Sequence, residues 1–98
     1  MDTQAIPTET FAAALRTDGF GDGETKALTP GRMVPEHQHP FDVRALVLAG
    51  EITLTVEGRA TAYRAGEVFT MAGGCRHAET VGAEGVEYLV GRRHPAER

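Results

Sequence analysis

From Gly23 onward, apolar and polar residues alternate in short runs that glycines interrupt, and this pattern constrains the fold most. In residues 51–56 (EITLTV) the alternation is strict. Successive side chains of a β-strand point to opposite faces, so the run predicts a strand with one buried face. Glu57-Gly58, which follows the run, is typical of a two-residue turn between paired strands.

Similar runs predict seven or eight strands in all. They are residues 24–29, 32–35, 43–48, 51–56, 59–63, 67–71, 78–81 and 86–90. Many short strands at nearly regular spacing predict an all-β fold, namely a small antiparallel barrel or jelly roll. We expect 43–48 and 51–56 to pair through a turn at Ala49-Gly50. Residues 59–63 should pair with the other side of 51–56.

Residues 1–22 form an N-terminal arm that we expect to contain one short helix. Thr8 or Thr10 is a suitable N-cap, because a hydroxyl oxygen accepts a hydrogen bond from the free N–H groups of the first turn. Phe11 and Leu15 stand four residues apart and share one helix face. We expect that face to pack on the outside of the sheet, and a lid over the barrel mouth is the alternative.

Residues 43–48 (VRALVL) form the most apolar run, which is typical of a strand covered on both faces. By parity, the side chains that line the interior are Val43, Ala45 and Val47, and those on the other face are Leu46 and Leu48. These outer leucines and Leu89 need cover, of which the N-terminal helix supplies a part. A second copy of the chain would supply the rest, so we expect a homodimer.

The 98 residues suffice for one domain, which we divide into the arm, a barrel at 23–91 and a charged tail at 92–98. A net charge of −4 without a basic run argues against nucleic-acid binding. No apolar run has the length of a membrane span, and the N-terminus does not resemble a signal peptide. One cysteine permits no internal disulfide. We expect a cytoplasmic protein that binds neither nucleic acid nor membrane.

His37 and His39 stand two residues apart between Pro35 and Pro40. A proline favours extended geometry in the residue before it, and residues two apart in an extended chain point the same way. The two imidazoles therefore face one side and are close enough to share an ion, and imidazole is the commonest metal ligand near neutral pH. Two solvent-exposed loop histidines are the alternative interpretation.

Two segments, residues 31–50 and 66–81, carry glycines and histidines at related spacings. The matching positions are Gly31, His37, His39 and Gly50 in the first segment and Gly66, Gly74 and His77 in the second. This arrangement resembles the paired motifs of the cupin family, and the resemblance covers residues 24–91. It implies a small cupin barrel, that is a double-stranded β-helix or jelly roll, behind the short N-terminal helix.

The resemblance also implies a metal centre, in which three histidines bind one divalent transition metal: iron, zinc, nickel, manganese or copper. These ligands are His37, His39 and His77. The family's fourth ligand, a glutamate, falls on Val43 when counted back from Gly50 and on Arg44 when counted from His39. We favour Val43, because it shares the parity of the histidines and so faces inward. The proline and asparagine of the second motif are replaced by Ala72 and Val81.

Two further residues near the histidines have open roles. Asp42 has the opposite parity to Val43, so we expect it to point away from the site and pair with Arg44. A bulge after Pro40 would instead turn it inward. Cys75 is either a small buried residue or a thiolate ligand. Candidate general bases are Glu36, Glu67 and Glu79.

Three neutral imidazoles would leave a divalent metal with its full charge and with open coordination positions, which favours an anionic small molecule that chelates the metal. With iron, this implies a dioxygenase acting on a small chelating organic acid, a relative of sites with two histidines and one carboxylate. The alternatives are a non-catalytic cupin, which binds a metal or small ligand as a sensor or accessory domain, and a metal-free barrel. One fold hosts many functions, so the resemblance leaves catalysis open.

Overall fold

Six antiparallel strands and one N-terminal helix make up residues 6–95, the part of the chain that the computed structural model describes. The elements are α1 (Thr8–Thr17), β1 (Glu24–Leu28), β2 (Met33–His37), β3 (Asp42–Val56), β4 (Arg59–Arg64), β5 (Val68–Met71) and β6 (His77–Arg93). The predicted all-β fold with a short N-terminal helix is confirmed. Residues 1–5 of the predicted arm and 96–98 of the predicted tail lie outside the described residues.

The two long strands β3 and β6 form the centre of the sheet. They pair with each other from Asp42 opposite Arg93 to Thr55 opposite Ala78. β5 and β4 pair with successive halves of β3, and β1 and β2 pair with successive halves of β6. The result is two four-stranded layers, β1-β6-β3-β5 and β2-β6-β3-β4, which share the long strands. This is the double-stranded β-helix that the sequence predicts.

Both long strands pass through positions at which the sequence predicts turns. β3 continues through residues 49–50, and β6 continues through residues 82–85. The predicted hairpin between 43–48 and 51–56 is therefore wrong, and the predicted runs merge into six strands. The register of β3 against β6 shifts on both sides of Gly50. Such bulges bend a strand without ending its pairing, and here they carry each long strand from one layer to the other.

At Gly50 the backbones of β3 and β6 approach each other closely. The φ angle of Gly50 is 79°. A Cβ atom built on this residue would lie only 2.0 Å from the backbone oxygen of Gly85. The glycine is therefore required by a close backbone contact inside a strand, and not by a turn that ends one.

The predicted hairpin between β3 and β4 is confirmed. Val56 pairs with Arg59, and the two residues between them form the turn. Glu57 and Gly58 both have positive φ angles, 51° and 79°. Positive φ at both positions belongs to the two-residue turn whose twist matches that of the flanking strands.

The interior between the two layers is a continuous apolar cluster. It includes Val43, Ala45 and Val47 from one half of β3, as predicted, together with Ile52, Leu54 and Val81 from the other layer. All of these side chains are buried. One end of this interior is less tightly filled, and the histidines lie there.

α1 packs on the outer face of the first layer, as predicted, and not over the barrel mouth. The outer cluster consists of Phe11, Leu15, Phe20, Leu46 and Leu89. The prediction that a threonine caps the helix is wrong, because Pro7 occupies the N-cap position and no side chain caps the first turn. No helix in residues 6–95 has the length and apolar character that crossing a membrane requires.

The chain itself covers the outer leucines. Leu46 is 2% exposed and Leu89 is 7% exposed, and Leu48 packs partly buried against the same cluster. The need for further cover, which was the reason to expect a homodimer, is therefore largely met by α1 and Phe20. The homodimer stays a prediction without that support.

Candidate metal centre

β2 and β6 bring the three predicted histidines together. His37 ends β2 and pairs directly with His77, which begins β6, and His39 follows two residues after His37. The ring centroids of His37 and His77 are 4.3 Å apart, and His39 lies 4.8 Å from the first and 5.2 Å from the second. One potential ligand atom of each imidazole lies within 4.8 Å of the others. The residues that the spacing singled out thus converge in space.

Backbone carbonyls orient two of these imidazoles. His37 Nδ1 lies 2.8 Å from the oxygen of Pro35, and His77 Nδ1 lies 3.0 Å from the oxygen of Cys75. A carbonyl oxygen can only accept, so each Nδ1 donates a hydrogen bond and carries the proton of the neutral ring. The lone pair is therefore on Nε2 in both histidines, which is the arrangement that metal-binding histidines adopt.

The Nε2 atom of His77 is the clearest sign that something binds here. His77 is 1% exposed, and its Nε2 has no hydrogen-bond partner among the described residues. A buried polar atom without a partner costs about 1–3 kcal/mol. Three imidazole donors suit zinc, copper, iron or nickel, and an ion bound to them would give this nitrogen its partner. The donor set therefore fits the divalent transition metal that the sequence implies.

His39 is kept in the form that binds metals. Burial lowers its pKa below the ordinary value, and the neighbouring rings of His37 and His77 lower it further. The ring of Phe41 stacks on His39 at 4.9 Å, almost parallel, which fixes the plane of the imidazole. Neutral imidazole with a free nitrogen is thus the favoured state of this side chain near neutral pH.

Glu79 also faces the histidines, although the sequence marked it only as one of three candidate bases. Its Oε2 lies 3.4 Å from His77 Nε2 and 3.7 Å from His37 Nε2. The side chain is 14% exposed. Glu79 follows His77 by two residues in β6, so both side chains point to the same face of the sheet. That shared parity was the signal in the sequence that could have identified it.

A cavity of about 210 Å³ adjoins the histidines. Val43, Ile52, Phe69 and Met71 contribute apolar wall, so Val43 faces the site as predicted. Three basic side chains also line the cavity: Lys26, Arg32 and Arg92. Tyr88 lies in the same wall, and burial raises the pKa of its phenol. Apolar walls with a few charged groups are typical of sites for small molecules, and the basic groups favour an anion.

Asp42 points away from the histidines, as predicted, but it does not pair with Arg44. It accepts hydrogen bonds from the backbone N–H of Gly73 at 2.8 Å and from the guanidinium of Arg93 at 2.9 and 3.1 Å. These two partners hold the pKa of the Asp42 carboxyl below its usual value. Arg93 stands directly opposite Asp42 in the β3–β6 ladder, whereas Arg44 pairs with Asp18 at 2.7 Å. Cross-strand partners thus replace the neighbour in sequence.

The other candidate residues take no part in the cluster. The half-buried thiol of Cys75 does not belong to the group of converging ligand atoms, and this residue contributes its backbone carbonyl instead. Glu36 pairs with Arg76 at the surface, and Glu67 accepts a hydrogen bond from the backbone of Arg64. Of the three candidate bases, Glu79 is the one that faces the imidazoles.

Comparisons with known proteins identify the family. The family model described as Cupin domain (Cupin_2) matches residues 25–90. A search of curated protein sequences finds no match.

Many solved structures share the fold. The SPY1581 protein of unknown function from Streptococcus pyogenes has 23% identity and a TM-score of 0.64, over 74% of this chain and 63% of that one. The Cupin_2 domain of an XRE family transcriptional regulator from Enterobacter cloacae has 19% identity and a TM-score of 0.65, over 82% and 87%.

An enzyme is also among the similar structures. The oxalate decarboxylase of Lactobacillus farciminis, in a formate complex, has 26% identity and a TM-score of 0.65. The match covers 78% of this chain but only 24% of the decarboxylase. Because the family model covers more than half of the sequence and these structures share its fold, the chain belongs to the cupin family.

Proposed function

We propose that this cupin binds one divalent transition metal through His37, His39 and His77 and uses it to hold a small anionic organic molecule. The observation that carries the proposal is the buried Nε2 of His77, which lacks a hydrogen-bond partner in residues 6–95 and lies beside two other imidazoles. His37 and His77 donate hydrogen bonds from Nδ1 to the backbone oxygens of Pro35 and Cys75, so the Nε2 atom of each ring has a free lone pair for a metal.

The cavity supports the anionic class of ligand. Lys26, Arg32 and Arg92 supply positive charge along its wall, and this charge attracts an anion to the site. A volume of about 210 Å³ suits a small organic acid. A bound divalent metal would supply Lewis acidity, and iron would add redox chemistry with dioxygen. The protein side chains attract the acid and orient it.

We propose a dioxygenase acting on a small chelating organic acid as the finer function, with a non-catalytic sensor or accessory domain as the second candidate. One structural relative is an oxalate decarboxylase in complex with formate. Oxalate and formate are both small carboxylates, and this favours an enzyme. Another relative is part of a transcriptional regulator, and this favours a sensor. Oxygen consumption separates the two. A dioxygenase loaded with iron should consume oxygen in step with the loss of the acid, whereas a sensor should bind the acid unchanged.

Replacing His39 or His77 by alanine should abolish stoichiometric metal binding, because two imidazoles hold a divalent ion far less tightly than three. Elemental analysis of protein purified without an affinity tag is the measurement, and circular dichroism checks that the barrel still folds. His94→Ala is the matched control, since His94 is exposed and lies outside the converging group. If His77→Ala binds metal as tightly as the unchanged protein, the proposed site is wrong.

A further inference from the structure

We propose that Glu79 is a fourth metal ligand, which supplies from β6 the carboxylate that the sequence lacks at Val43. This assignment rests on the proposed function, because it requires the histidines to bind a metal. With Glu79 bound, the metal would have one anionic ligand in addition to its three neutral ones. Glu79 and His77 alternate with Ala78 along β6, so one strand presents both ligands to the cavity.

The carboxylate lies at ligand spacing from two of the three histidines, and its oxygen stands outside the group of histidine atoms that lie within 4.8 Å of one another. Four ligand atoms bound at about 2.1 Å around one ion in a tetrahedron are about 3.4 Å apart. Glu79 Oε2 is 3.4 Å from His77 Nε2 and 3.7 Å from His37 Nε2. His77 Nε2 nevertheless has no hydrogen-bond partner, so the oxygen and nitrogen lie side by side without a bond between them. A single cation between these two atoms would accept a lone pair from each of them.

The side of the imidazole on which Glu79 lies distinguishes a ligand from a supporting residue. A carboxylate that only supports a metal-bound histidine accepts a hydrogen bond from the ring nitrogen that does not bind the metal. In His37 and His77 that nitrogen is Nδ1, and backbone carbonyls already occupy it. Glu79 faces Nε2 in both rings. It therefore lies on the side where the metal would bind.

No lysine or arginine of residues 6–95 forms a direct ion pair with Glu79. Its ion-pair partners in this part of the chain are the two histidines. The side chain is nonetheless largely buried, and a buried carboxylate without a cation is unfavourable. A divalent ion would resolve this. With Glu79 bound, the centre keeps one net positive charge, and Lys26, Arg32 and Arg92 remain to attract the anion.

The test is cobalt(II) binding by metal-free protein, followed by chelator competition for affinity and by visible absorption for coordination. Glu79→Gln keeps the size of the side chain and removes its charge. We expect this variant to weaken cobalt binding by at least about 10–100-fold, which is the typical effect of removing a residue that only supports a ligand. We also expect it to change the absorption bands. Glu36→Gln is the matched control, because Glu36 stands beside His37 in sequence but pairs with Arg76 at the surface. It should change neither quantity.

The outcomes separate this inference from the function on which it rests. If Glu79→Gln keeps both affinity and spectrum while His77→Ala loses the metal, Glu79 is not a ligand and the three-histidine site stands. If affinity falls and the spectrum stays the same, Glu79 acts only from outside the coordination sphere, and the inference is again wrong. If His77→Ala binds cobalt normally, the proposed function itself fails. The metal-free melting temperature of Glu79→Gln should not fall, which excludes misfolding as the cause.

Discussion

Gly50→Ala is expected to remove a large part of the protein's folding stability. The added methyl would lie 2.0 Å from the backbone oxygen of Gly85, so the paired backbones of β3 and β6 would have to move apart at this point. Overpacking of this kind and a positive φ in alanine together cost about 2–5 kcal/mol. A domain of this size has about 5 kcal/mol or somewhat more to lose. Thermal melting should show a fall of about 10–40 °C.

Gly58→Ala is the matched control for the contact. Gly58 has the same φ angle of 79°, but a Cβ there would meet no atom within 4 Å. It therefore carries the conformational cost alone, about 1–2 kcal/mol. The difference between the two variants measures the contact with Gly85. Equal melting temperatures would show that β3 and β6 do not approach each other at this point.

Val43→Glu is expected to destabilise the metal-free protein by several kcal/mol and to regain much of that loss when metal is added. Val43 is 7% exposed and lines the cavity beside the histidines, so the new carboxylate would be largely buried in a cavity that already holds the carboxylate of Glu79. A metal that binds only the folded state restores stability by mass action, by about 2.7 kcal/mol at a hundred times its Kd. Melting curves with and without a divalent metal are the measurement.

Val47→Glu is the control that separates burial from coordination. Val47 belongs to the same strand and the same inner cluster and is 1% exposed, but it does not line the cavity. This variant should lose as much stability as Val43→Glu and regain none of it with metal. A Val43→Glu protein that melts like the unchanged protein under both conditions would mean that residue 43 does not face the metal.

The alternating runs predicted the strands well, because period two is a direct consequence of strand geometry. The hairpin at Glu57-Gly58 was also predictable, because these two residues adopt the positive φ angles that a two-residue turn requires. Residues 49–50 were predicted as a turn and residues 82–85 as a break between two strands, and both are bends within strands. A glycine with positive φ looks the same in sequence in both cases. The choice between a turn and a bend within a strand depends on the partner strand beside the glycine, and that strand is distant in sequence.

The spacing of the motifs was enough to find the three histidines. That prediction requires only a His-x-His in an extended segment and a third histidine opposite it. The spacing was not enough to find Glu79, because the family's motif places its carboxylate in the first segment. The orientation of the imidazoles depends on carbonyl oxygens of Pro35 and Cys75, which no side-chain pattern reveals. Asp42 was predicted to face outward correctly, but its partner Arg93 comes from the far end of the chain.

The position of β6 after all the other strands governs the order in which the barrel can assemble during synthesis. β1, β2 and β3 all pair with β6, so before His77 emerges only β4 and β5 can pair with β3. The nascent chain must hold most of its apolar strand surface unpaired until β6 has been synthesised, and aggregation competes with folding during that interval. His37 and His77 meet only at that last stage. A metal held by these histidines would therefore be taken up after the barrel closes and not before.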